Sequence, residues 1–152
     1  MISRDPTSLS ELAYFSRNTY VGYDASVGTA VLTGEGVAIA AEAEVGNNVV
    51  LGDESSVGRD ARVGDHCTVF DLAQIAPLAV IGTGVVIGRE TQVERGATVE
   101  NNVILGANVI IGRDVVIGEG AVVGDGSYIR NSSVVCAGVS VPENTLLGRG
   151  AV

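Results

Sequence analysis

Few groups in the chain can do chemistry. His66 is the one histidine, Cys67 and Cys136 are the two cysteines, and there is no lysine and no tryptophan. His66 lies in the string VGDHCT. An imidazole is the side chain best suited to take a proton from a hydroxyl or amine near neutral pH, so His66 is the candidate general base. A metal centre needs several His, Cys or carboxylate ligands converging, and one histidine beside two distant cysteines gives no such set. No metal is expected, and two cysteines make no disulfide framework. The nine basic residues are all arginine and read as scattered, against 18 acids and a net charge of −9. An acidic chain without a basic stripe is a poor partner for nucleic acid or an anionic membrane. No run approaches 18 apolar residues, and the first fifteen residues carry acids where a signal peptide is apolar. A cytoplasmic protein without a membrane span is expected.

What must position His66 is a repeat. From Val21 to Val152 the chain divides into 22 hexads with no insertion or deletion. The first hexad position is Val, Ile or Leu throughout except at Thr33, and the fifth is always Ala, Val, Ser, Thr or Cys. All 21 glycines fall at two positions, fourteen at the second and seven at the fourth. None is left over for a phosphate-binding loop. The fourth position is Gly, Asn or Asp in 14 hexads, the residue types that tolerate a left-handed backbone at a corner.

A period of six fits neither a helix at 3.6 nor a hairpin. It fits one short strand and one sharp turn per hexad, with the first residue inward and the small fifth residue filling the corner. Three hexads per coil, stacked at about 4.8 Å, give a triangular solenoid of slightly more than seven coils, roughly 35 Å long. Cys67 then points inward at a fifth position. Cys136 points outward at a second position four coils away, on the order of 19 Å distant.

This pattern resembles the bacterial transferase hexapeptide superfamily over residues 21–152. The resemblance implies a left-handed parallel β-helix, homotrimers, and for many members acyl transfer; other branches are γ-class carbonic anhydrases and tails on sugar-nucleotide pyrophosphorylases. A carbonic anhydrase site of that kind uses three histidines at different positions, so one histidine excludes it. The string HCT around His66 loosely resembles the surroundings of catalytic histidines in some members. The expected fold is therefore an all-β, single-domain left-handed β-helix at 20–152. Residues 1–19 form a cap, with a short helix capped by Ser8 and Glu11. The repeat runs to Val152 with no extension, which is expected to invite end-to-end pairing.

The outward faces suggest a partner. Leu32, Val50, Thr68, Val86, Ile104 and Val122 recur every 18 residues and should form an apolar column, with Phe70 where its neighbours have Gly. Leu72 and Leu78 break the fourth-position rule and, with Phe70 and Pro77, are expected to form an apolar knot beside His66. Leu32, Val50, Phe70, Leu72, Leu78, Val86, Ile104 and Val122 are the candidate interface of a homo-oligomer, most simply a trimer. No hexad is interrupted by a loop that could close over a substrate. The first functional expectation is a noncatalytic assembly protein with no cofactor. The alternative is an acyltransferase using an acyl-CoA or acyl-carrier donor, with His66 as general base at a subunit interface.

Overall fold

The computed structural model describes residues 14–149. The expected N-terminal helix around Ser8 and Glu11 and the end of the last hexad lie outside them. The chain forms a left-handed parallel β-helix of 22 two-residue strands, spaced every six residues from β1 (Tyr20–Val21) to β22 (Leu146–Leu147). No helix occurs among the described residues. Sheet 1 takes β1 and every third strand after it, eight in all; sheet 2 starts at β2 (Ser26–Val27) and sheet 3 at β3 (Leu32–Thr33), with seven strands each. All pairing is parallel and in an 18-residue register, as in Val86↔Thr68 and Val86↔Ile104. Each strand has one outward and one inward residue, and the inward Val, Ile and Leu form a single core with the small fifth-position residues. Corners are named below by the sheets they join.

Each hexad position has its own physical reason. Second-position glycines stand where the next coil's backbone passes. A Cβ on Gly52 would lie 2.7 Å from the carbonyl carbon of Phe70 and 2.6 Å from the nitrogen of Asp71. The third position carries a ladder of side-chain acceptors: Asp65 Oδ1 accepts from the Asn47 amide at 2.8 Å, and Asn47 Oδ1 from the Thr29 amide at 2.8 Å. Amide groups that the strands leave unpaired at the corners are satisfied in this way. The fourth position is left-handed in every described hexad, at φ values from 54° to 71°. Leu72 (φ 62°) and Leu78 (φ 65°) adopt this backbone although neither is a turn former.

Thr33, the exception at the first position, closes the lower end of the core. Its hydroxyl lies 3.0 Å from that of Thr19 and accepts from the Ser16 amide at 3.1 Å. Tyr14 forms an isolated parallel bridge with Leu32, so the segment before β1 continues sheet 3 by one partial rung. The Thr19 hydroxyl also donates to Ser16 O at 2.9 Å, so what an aliphatic residue at 33 would leave without its acceptor is the part-buried Ser16 amide.

Candidate functional site

His66 occupies the fourth position of a turn on corner 2–3, with φ 59° and an exposed side chain. Its backbone is fixed from below, where its amide donates to Asn47 O at 2.8 Å. From above, the Gly84 amide donates to Asp65 O at 2.9 Å. Asn48 and Gly84 are its neighbours one coil down and one coil up, so no bulky side chain covers the imidazole. The geometry gives an exposed imidazole carried by a hydrogen-bonded backbone on a convex edge. Such an edge binds little alone; a second surface must complete a cleft.

Cys67, next in sequence, is turned fully inward, and its thiol donates to Gly82 O at 3.0 Å. Burial pushes its pKa up, so it is neither nucleophile nor ligand. Cys136 is exposed on the same corner as His66 but four coils higher. No group of three or more His, Cys, Asp or Glu side chains that could hold a metal occurs among the described residues.

Sheet 3 brings the expected apolar column together. Leu32, Val50, Thr68, Val86, Ile104 and Val122 stand in continuous register on its outer face, with Leu32 49% and Ile104 47% exposed. His66 marks one edge of this face and Phe70 with Leu72 the other. Two expectations need correction. There is no apolar knot at His66: successive hexads turn through the triangle, placing His66, Leu72 and Leu78 on corners 2–3, 3–1 and 1–2. Leu78 therefore lies on the corner opposite sheet 3. Nor are the arginines fully scattered. Arg59, Arg95, Arg113 and Arg149, related by multiples of 18, share corner 1–2 with Arg130, while Arg17 and Arg89 lie on corner 3–1 and Arg62 on sheet 2. Sequence reasoning missed that ridge although the same spacing revealed it. Shallow depressions of about 380 Å³ beside Leu72 and Gln74 and about 310 Å³ beside Pro77 and Gln92 lie at the two edges of sheet 1.

The family described as GMPPB C-terminal domain matches residues 27–112, more than half of the chain. The chain belongs to that family. The description bacterial transferase hexapeptide (six repeats) matches residues 96–131, in agreement with the superfamily the repeat resembles. No curated protein matches the sequence. Among solved structures, UDP-N-acetylglucosamine O-acyltransferase from Moraxella catarrhalis RH4 is similar over 92% of this chain and 65% of its own, at 17% identity and TM-score 0.61. The acetyltransferase domain of PglB from Neisseria gonorrhoeae FA1090 is similar over 78% and 54%, at 18% identity and TM-score 0.66. A histidine-to-alanine mutant of GDP-perosamine N-acetyl transferase from Caulobacter crescentus, in complex with CoA and GDP-perosamine, is similar over 76% and 53%, at 26% identity and TM-score 0.57. The chain thus spans between about half and two thirds of the length of these neighbours. The first two similarities concern the fold alone.

Proposed function

We propose that the chain is an acyltransferase subunit in which His66 is the general base. The observation that carries this reading is the exposed imidazole of His66 on a hexapeptide β-helix whose structural neighbours are acyltransferases. This support places acyl transfer ahead of the noncatalytic assembly role that the sequence put first. In the reaction, a hydroxyl or amine of the acceptor attacks the carbonyl of an acyl thioester. His66 takes the acceptor's proton as the new bond forms; the carbon–sulfur bond then breaks, and the thiolate leaves with that proton. The products are an ester or amide and a free thiol. The sheet 3 face beside His66 offers an apolar wall for the donor chain, and a second copy completes the cleft.

The test is acyl transfer from acetyl-CoA and longer acyl-CoA thioesters to a panel of amino and hydroxy sugar nucleotides, followed by mass spectrometry of the acceptor. His66→Ala is expected to lose 10²- to 10⁴-fold in turnover while retaining its fold. Equal turnover in both proteins would overturn the assignment. Noncatalytic assembly is the second reading, favoured by one observation: from Tyr20 to Leu147 no corner is extended into a loop. A wild-type protein that transfers nothing across the panel yet associates through its faces would favour it.

A further inference from the structure

We infer that the upper coils carry a nucleotide-binding site separate from His66, in which arginines on corner 1–2 hold the phosphates and the outer face of sheet 1 carries the base. The basis is where positive charge collects in an acidic chain. Four of the nine arginines, Arg95, Arg113, Arg130 and Arg149, occupy corner 1–2 in four consecutive coils. Only Glu94 and Asp114 share that stretch of the corner, so the other five arginines stand against 16 of the 18 acids. The lower part of the same corner is neutralised within the chain. Arg59 meets Glu42 at 2.6 Å and Asp60 at 3.6 Å, and Arg62, beside it on sheet 2, meets Glu44 at 3.7 Å. Higher up, Arg113 reaches Glu94 only at 3.8 Å, and Arg95 and Arg130 have no ion pair among the described residues.

Beside this ladder, three consecutive coils put an apolar side chain on the outer face of sheet 1. Ile110, Tyr128 and Leu146 stand in register, with Tyr128 37% and Leu146 59% exposed. Each has an arginine at its own level: Arg113, Arg130 and Arg149 respectively. Tyr128 and Arg130 are two residues apart at an extended strand and face the same side. The Arg113 guanidinium leans the same way, since its partner Glu94 lines a depression on sheet 1 together with Gln92. Adjacent rungs are about 4.8 Å apart, and two guanidinium forks at that pitch suit two linked phosphates, each taken through paired N–H donors. A flat ring laid on the Tyr128 strip is held by stacking, which tolerates any base. Arginines alone would accept any polyanion; an aromatic at the middle level selects one that carries a ring. Three levels, about 10 Å in all, are too short a track for a nucleic-acid strand. The ligand class that fits is a nucleoside diphosphate, free or as part of a larger molecule.

This site and the His66 site do not coincide within one copy. The imidazole lies on corner 2–3, whereas Arg113 and Arg130 lie on corner 1–2, about 12 Å and about 17 Å higher along the solenoid axis. The inference therefore does not rest on acyl transfer, and binding is read without it. Glu94 is a competitor built into the site: it shares Arg113 with an incoming phosphate, so neutralising it frees a guanidinium.

Calorimetric titration of the protein with ADP, UDP, GDP and inorganic pyrophosphate tests the proposal, with circular dichroism to check that each variant keeps its fold. The nucleotides should bind, and Arg113→Gln and Arg130→Gln should each weaken them about tenfold or more. Arg59→Gln, on the same corner but already paired, should leave binding unchanged. Tyr128→Leu should weaken the nucleotides about fivefold or more without affecting pyrophosphate, and Tyr128→Phe should retain wild-type binding. Glu94→Gln should tighten every one of these ligands. No nucleotide binding, binding untouched by the Arg113 and Arg130 variants, or an equal loss in Arg59→Gln would overturn the site. Nucleotide binding that Tyr128→Leu leaves intact would mean a phosphate site only and overturn the assignment to a nucleotide. Binding lost in His66→Ala would put the nucleotide at the His66 edge and overturn it as well.

Discussion

Single residues show most clearly what each position is for. Cys67 and Cys136 have the same chemistry and opposite environments. In the folded protein one thiol, that of Cys136, should react promptly with a disulfide reagent and the second only after denaturation, as a time course of thiol release would show. Burial raises the Cys67 pKa. The folded state therefore holds this proton more tightly than the unfolded chain does. Its contribution to stability is complete below the unfolded thiol value of about 8.5 and is lost as pH rises through the folded one. Urea midpoints measured from pH 7 to 10 should fall in the wild type and fall less in Cys67→Ala. Thr33 gives a second case. Thr33→Val keeps the volume but removes the acceptor of the Ser16 amide and leaves the Thr19 hydroxyl with Ser16 O as its partner, a loss of about 1–3 kcal/mol by chemical denaturation. The oddity of Thr33 was visible in the sequence, but its reason was not, because its partners come from a segment outside the repeat.

At the scale of the six-residue element, strand and corner make different demands on glycine. Gly52→Ala would drive a methyl group into the backbone of the next coil, whereas at Gly120 nothing lies within 4 Å and only the φ of 70° resists substitution. Thermal or urea unfolding should show Gly52→Ala losing about 1–3 kcal/mol from overpacking, and Gly120→Ala about 1–2 kcal/mol from backbone strain. Leu72→Asn is expected to move the other way, relieving up to about 1 kcal/mol of left-handed strain at φ 62°. Legibility follows the same division. The period of six carried strand positions, corners and the inward column from Val21 onward, since one slipped residue would turn every aliphatic outward. Grouping across corners was misread where sequence neighbours were taken as spatial neighbours. Leu72 and Leu78 are six residues apart and a whole triangle side apart, whereas Arg95 and Arg113 are eighteen apart and adjacent.

At the scale of the whole molecule, a solenoid leaves its faces and ridges for partners, because each coil spends its apolar side on the core and its backbone on the coils above and below. Sheet 3 offers an apolar wall and corner 2–3 an exposed imidazole. The chemistry depends most on His66. The decisive measurement is acceptor-dependent release of free CoA thiol, with wild-type and His66→Ala proteins compared at equal concentration and equal oligomeric mass. The account predicts release by the wild type that requires an acceptor and falls at least 100-fold in His66→Ala. Acceptor-dependent release that is undiminished in the alanine variant would contradict it.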